Sequence, residues 1–338
     1  MMTGVTTDRA RPGSTTPGAA ELETRLDEHR GELYGYCYRM LGSAFDADDA
    51  VQDTMVRAWR GLDRFEGRAA LCSWLYRIAT NVCIDLLNGR QRRALPMDLS
   101  ASPSPPVEAS LAARQPEVTW VEPVLDRQVL AGDGDPAELA VERESIRLAF
   151  VAALQYLPPR QRAVLLLRDV LRWKADEVAE LLDTSVASVN SALQRARSSL
   201  AARRASASPA YDPLDDEHRE LLARYVDAFE RYDIDSLVGL LHDDATQNMP
   251  PYEMWLQGSS DIVAWMLGPG HGCRGSRLVP VTVNGSPGFA HYRKAASGTG
   301  HDPFALQVLE LSGGRVVAIT SFLDTRLFEL FGLPAHLD

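Results

Sequence analysis

The hydrophobic period changes once along this 338-residue chain, and that change does most to limit its fold. Over residues 21–93 and 136–204, apolar residues recur at every third or fourth position, the spacing of amphipathic helices. From residue 276 the pattern becomes short apolar runs closed by turn residues: SRLVPVTVNG, GFAHYRK and FALQVLELSGGRVVAITSFL. In the last of these, Gly313-Gly314 between two apolar runs is a hairpin signature. Such a chain is expected to be multidomain, with all-α units first and an α+β unit after them. It has no apolar run long enough to cross a membrane as a helix.

Two stretches without period divide the chain. Residues 96–135 are rich in Pro, Ser, Ala and acids, and 205–216 read ASASPAYDPLDD; both are expected as linkers. Fully extended, the first could reach about 130–145 Å, so its flanking units need not touch. Trp120 is unusual for a spacer and is expected to contact a neighbouring unit. Residues 1–20 carry no apolar core segment, which excludes a signal peptide and suggests a disordered leader. The remaining units are 21–95, 136–204 and 217–338. In the first, Asp46 or Asp48 is a plausible helix cap.

The net charge of −11 argues against a nucleic-acid binder, but its distribution reverses that conclusion. Residues 210–338 carry 18 acidic and 9 basic side chains, and residues 96–144 carry 10 and 3. Residues 158–204 hold 9 basic against 5 acidic, and residues 68–93 hold five Arg against Asp85 alone. Two basic islands in an acidic chain are where phosphate contacts are expected. None of Cys37, Cys72, Cys83 and Cys273 forms a C-x-x-C pair, so neither a zinc site nor a disulfide framework is indicated. A reducing cytoplasm is the expected compartment.

The second island contains TSVASVNSALQRARSSL. At helical spacing, Val186, Val189, Leu193, Ala196 and Leu200 form an apolar seam. Ser188, Asn190, Ser191, Gln194, Arg195 and Arg197 point elsewhere and include no carboxylate. A short helix, the turn Asp183-Thr184-Ser185 and a helix capped by Ser185 make a helix-turn-helix. Its outward Asn, Gln and Arg are the types that pair with base edges in a major groove. In the first island, Trp74, Arg77, Asn81 and Asp85 share one helix face, where an aromatic among cations can stack on an unpaired base.

The segment LPPRQRAVLLLRDVLRWKADEVAELLDTSVASVNSALQRARSSL resembles region 4 of the extracytoplasmic-function sigma factors. DADDAVQDTMVRAWR and FEGRAALCSWLYRIATNVCIDLLNGRQRR resemble region 2 of the same family. One position departs from the pattern: Asp183 stands where many members carry Gly. The resemblance implies promoter DNA and core RNA polymerase, through its clamp coiled coil and flap, as partners. It implies that Ser185, Ser188, Asn190, Ser191, Gln194, Arg195 and Arg197 face the −35 element. It assigns Arg68, Trp74, Arg77, Asn81, Arg90, Arg92 and Arg93 to the −10 element. Asp48, Asp49, Gln52, Asp53, Arg57 and Trp59 would dock on polymerase.

The third unit resembles the SnoaL-like cones, relatives of nuclear transport factor 2, that are fused to some of these factors. The resemblance implies a central cavity, for which Tyr225, Phe229, Met249, Trp255, Trp265, His291, Tyr292, Gln307 and Phe322 are candidate lining residues. Asp244, His291 and Asp324 are tempting acid/base analogues. No paired carboxylate or nucleophile–base spacing supports them, so no catalytic residue, metal or cofactor is assigned. The expectation is a sigma factor, not an enzyme, whose acidic third unit regulates it within the chain. The alternative is a DNA-binding regulator whose third unit is an enzyme or a sensor of an unknown small ligand. A separate anti-sigma partner is left open.

Overall fold

A computed structural model describes residues 26–61, 71–130, 136–201 and 211–338. The 1–20 leader, Arg68 and residues 205–210 of the second linker lie outside the described residues.

The first unit consists of α1 (Arg30–Leu41), α2 (Ala44–Gly61) and α3 (Leu71–Leu87). Gly42, in the left-handed region at φ 72°, ends α1 and donates to the Tyr38 carbonyl at 2.7 Å. The cap of α2 is Ser43, whose Oγ accepts the Asp46 N–H at 3.1 Å; neither Asp46 nor Asp48 takes that role. Sequence spacing predicts a single seam on α1. In the structure every residue from Leu33 to Leu41 is buried. The helix packs on α2 and α3, on a single turn at Asp126–Val129, and on two helices of the second unit. The stretch LYGYCYRML, with Arg39 its one charge and that charge donating to Ser145 Oγ at 2.8 and 3.0 Å, suits such a central place. Gly35 shows how closely the chains approach, since a Cβ there would lie 3.2 Å from the Val129 carbonyl oxygen.

The second unit holds α4 (Pro136–Ile146), α5 (Leu148–Leu154), α6 (Pro159–Leu165), α7 (Ala175–Leu181) and α8 (Val186–Ala201). Pro159 occupies the first turn of α6, and the helix continues through a wider turn to Val170. Residues 136–157 read as one helix in sequence. Arg147 breaks it with extended backbone, and its buried guanidinium reaches Glu310 of the third unit at 3.3 Å.

The third unit opens with α9 (Asp216–Arg231), capped by Asp215, and α10 (Ile234–Val238). Six strands follow: β1 (Leu241–Asn248), β2 (Trp255–Gln257), β3 (Arg277–Val283), β4 (Ser286–Lys294), β5 (His301–Ser312) and β6 (Arg315–Phe322). α11 (Ser259–Leu267) and α12 (Arg326–Leu330) complete it. The sheet order is β2-β1-β6-β5-β4-β3, antiparallel except for the β1–β6 pair. Gly313-Gly314, both at positive φ, form the expected β5–β6 turn. Both faces of the central strands are covered. Phe289, Leu309 and Ile319 pack under Tyr225 and Phe229 of α9. Ala290, Tyr292, Leu306, Val308 and Phe322 join the core of the two helical units. Burial on both faces explains the nearly unbroken apolar run of β5.

Residues 96–135 join the first two units, and those described, 96–130, lie against their neighbours, Trp120 among them as expected. Ser104 N donates to the Trp255 carbonyl at 2.7 Å, Gln115 N to Pro251 at 3.0 Å, and Glu122 N to Gly42 at 2.9 Å. Trp120, Val121, Val124 and Leu125 are buried, and Trp120 lines a cleft with Pro250 and Phe322 at the seam with the third unit. The segment forms only isolated helical turns, at Pro96–Leu99, Glu108–Leu111, Glu117–Thr119 and Asp126–Val129, and is otherwise held by distant chain, so it carries no sustained period.

Candidate nucleic-acid interface and its covering domain

The turn between α7 and α8 fits a helix-turn-helix. Asp183 takes the left-handed conformation at φ 50°, the geometry its place in the turn requires. Ser185 Oγ accepts the Ser188 N–H at 3.2 Å and caps α8. Val189, Leu193, Ala196 and Leu200 are buried as the seam predicts; Val186, at 43% exposure, is not part of it. Ser188, Asn190, Ser191, Gln194, Arg195 and Arg197 are exposed. Arg197 forms a two-point pair with Asp169 at 2.6 and 2.9 Å, so only part of its charge faces outward.

The other island is arranged differently. Trp74 is half-buried against the helical core and lies beside Gly61. Arg77 Nη2 donates to the Glu180 carbonyl of α7 at 2.6 Å, which ties the α3 face to the second unit. Asn81 is exposed, and Asp85 lies 3.7 Å from Arg57. Arg93 is buried. It pairs with Asp46 at 2.6 Å and donates to the carbonyls of Trp120 at 2.7 Å and Glu117 at 3.1 Å. Arg90 shares Asp46 at 3.0 Å, and Arg92 stacks on the Tyr156 ring at 3.8 Å. Arg93 therefore offers no phosphate contact in this conformation.

On α2, Asp49, Gln52, Arg57 and Trp59 are exposed, and Asp48 and Asp53 are partly so. Trp59 is 61% exposed, unusual for so large an apolar ring.

The tip of the β3–β4 hairpin joins all three units. Asn284 and Gly285 make a turn with both φ positive, at 55° and 65°. The buried Asn284 amide donates to Tyr38 Oη of α1 and to the Ile146 carbonyl of α4, both at 2.6 Å. Its Oδ1 accepts the Val124 N–H at 3.0 Å, and its own N–H donates to the Val124 carbonyl at 3.0 Å. Gly285 N donates to Asp126 at 2.8 Å. Tyr38 Oη in turn donates to the Glu122 carbonyl at 2.8 Å. Burial pushes Glu122 up to about 7 and Asp126 up to about 6; Arg93 and the Ser43 hydroxyl oppose the shift at Glu122. Arg162 adds a further link, donating to Met40 of α1 and to the Gln155 side chain. Burial lowers its guanidinium to about 10. Sequence reasoning counted Arg162 and Arg93 as available charge and passed over Tyr38 and Asn284. The Asn-Gly pair at a turn was the legible signal for the hairpin tip, but nothing in it names a partner.

Six of the nine candidate lining residues do enclose a cavity under the sheet: Tyr225, Phe229, Met249, Trp265, His291 and Gln307. Its volume is ≈ 50 Å³, well under the ≈ 300–1,000 Å³ of ligand pockets. Three candidates lie elsewhere. Tyr292 faces the opposite side of the sheet, against Phe328, and donates to Pro334 O at 2.9 Å. Phe322 lines the seam with the linker, and Trp255 sits on the short strand that Ser104 meets. His291 is buried between the edges of Phe229 and Phe304, and burial, with Arg293, drives it down to about 3. It is therefore neutral at neutral pH. Asp244 is exposed, and Asp324 is held by Arg326 at 2.6 Å. The three tempting acid/base analogues are not brought together.

Three family models match the chain. Sigma-70 region 2 covers residues 26–93, Sigma-70 region 4 covers 147–200, and the SnoaL-like domain covers 222–319. The chain is 48% identical over 320 residues to the ECF RNA polymerase sigma factor SigG of Mycobacterium tuberculosis, spanning 94% of this chain and 85% of that protein. It is 29% identical over 247 residues to SigJ of the same species, spanning 71% and 70%. The crystal structure of SigJ has the same fold, with a TM-score of 0.58 at 22% identity over 93% of this chain and 99% of that one. Two sigma regions in order, a fused SnoaL-like domain and a relative at 48% identity along nearly the whole chain lead to one assignment: this chain belongs to the extracytoplasmic-function RNA polymerase sigma factors.

Proposed function

We propose that this sigma factor reads its promoter through α8 and the α3 face, and that the SnoaL-like unit regulates it from within the chain. α8 presents Asn190, Gln194 and Arg195 to a −35 major groove, with Ser185 and Ser188 at its phosphate-facing N-terminus. Trp74, Arg77 and Asn81 face the −10 strand, with Arg90 and Arg92 as phosphate contacts once their present partners are exchanged. Asp48, Asp49, Gln52, Asp53, Arg57 and Trp59 dock on the polymerase clamp. The chain works in the cytoplasm, where polymerase is, and polymerase itself makes the bonds.

One observation carries the regulatory reading: the buried Asn284 tip bonds at once to α1, to the linker and to the end of α4. With this tip seated, Arg77 is held on α7 and Arg93 is enclosed by the linker. The SnoaL-like unit thus favours a closed chain in which region 2 is less available to DNA than region 4. The ≈ 50 Å³ cavity favours this role over catalysis or storage of a ligand. The test is run-off transcription with core RNA polymerase on a promoter library. Promoter-specific transcripts that need this chain, and that fall when Arg195 is replaced by Ala, support the reading. A library transcribed without selection, or unaffected by that substitution, contradicts it.

A further inference from the structure

Cysteine spacing points to no metal site, but the fold assembles a mixed set of donors on region 2, at the start of the helix that carries Trp74. His29 stands at the N-cap of α1, and Glu32 follows on its first turn. Cys72 is the second residue of α3, about 40 residues further along the chain. Nδ1 or Nε2 of His29, a Glu32 oxygen and Cys72 Sγ all lie within 4.8 Å of one another. His29 Nδ1 and the Glu32 carboxylate are 3.6 Å apart. Among the described residues this is the one group in which three such donors converge.

We propose that His29, Glu32 and Cys72 bind a single zinc-class divalent ion. With bond lengths of about 2.0–2.3 Å, a tetrahedral ion places its donors about 3.3–3.8 Å apart. The His29–Glu32 pair already meets that spacing, and Cys72 needs a movement of at most about 1 Å. Glu32 is 62% exposed, so its carboxylate can follow. One nitrogen, one oxygen and one thiolate suit zinc and cobalt. Magnesium and calcium would require oxygen donors throughout. Three protein ligands leave the fourth position to water. Binding releases the Cys72 proton to solvent, and the thiolate takes its place on the ion. The metal ties the first turn of α1 to the first turn of α3. Trp74 stands two residues beyond Cys72, so occupancy steadies the turn that carries the leading aromatic of the −10 face.

Cobalt(II) titration of the full-length protein tests this, because cobalt reports thiolate ligation by a near-ultraviolet charge-transfer band and tetrahedral geometry by visible bands. Wild-type protein is expected to show both, and zinc to displace them. C72S should lose the charge-transfer band while C273S keeps it. H29Q should weaken binding by more than about 100-fold, since even outer-shell changes cost about 10–100-fold. Circular dichroism melts confirm that each variant is folded, and H29Q serves if C72S is not. The absence of a band in the wild type, or a band that C72S or H29Q leaves unchanged, overturns the proposal.

Discussion

The two basic islands of this sigma factor look alike in sequence and are used differently by the fold. On α8 the polar side chains stay exposed; Arg197 is engaged by the partly exposed Asp169 carboxylate, and Ser188 by its capping neighbour Ser185. Around α3 and the residues after it, most of the positive charge is taken up. Arg93 is buried among Asp46 and two carbonyls, Arg90 shares Asp46, Arg92 stacks on Tyr156, and Arg77 is tied to α7. A count of charges along a chain therefore measures what a surface could offer. The packing of the other domains decides what it does offer.

Substitutions separate the two cases, and the largest difference is expected at Arg93. Arg93→Ala strips a buried ion pair and leaves Asp46 and two carbonyls short of a donor. It should cost about 3–5 kcal/mol of stability in urea titration. A loss under about 1 kcal/mol would mean that Arg93 is a surface cation after all. Glu122→Gln moves stability the other way. The carboxyl titrates at about 7 in the folded chain, above its ordinary value near 4.5. A raised acid pKa means the folded state holds its proton while the unfolded state has lost it, so stability falls as pH rises from about 4.5 to 7 and then levels off. Removing the charge should leave pH 5 nearly unchanged and gain about 1–3 kcal/mol at pH 8. Equal melting shifts at both pH values would refute that linkage.

Arg195→Ala should leave the melting temperature unmoved and weaken binding to a −35 duplex by about 1–2 kcal/mol, roughly tenfold, with relaxed preference at one base position. A uniform loss across sequences would make it a phosphate contact instead. Arg197→Ala should cost little stability, about 0.5 kcal/mol or less, because its pair with Asp169 is exposed and screened by salt.

Much of this architecture was legible in the sequence, and the exceptions share a cause. The period of α8, apart from Val186, and its Ser185 cap follow from local chemistry and appear as expected, and Asp183 takes the left-handed turn at the place where many members carry Gly. So does the Gly313-Gly314 turn. Long-range pairing was not legible. Val121 and Val124 read as linker because their partners, Ala94 and Asn284, lie elsewhere in the chain, whereas Trp120 was expected against a neighbouring unit and lines the cleft there. Phe322 read as a cavity residue because alternation does not tell which face meets another domain, while Tyr292 was placed there against alternation, which sets it opposite its neighbour His291. Arg93 and Arg162 read as free cations because burial is set by tertiary packing. The His29–Glu32–Cys72 group escaped for the same reason: its members are close only once α1 and α3 are packed.

The central claim is that the Asn284 tip holds region 2 closed. Asn284→Ala removes the acceptor for the Val124 N–H and the donor to the Ile146 carbonyl, weakening the closed state by about 2–4 kcal/mol. The decisive measurement is run-off transcription with core polymerase at limiting sigma factor, wild type against Asn284→Ala. Fluorescence energy transfer between labels on α2 and α8 reports opening in the same samples. The account predicts that the variant opens and that transcription from the same promoter rises several-fold. A variant that opens yet transcribes at or below the wild-type level would contradict it.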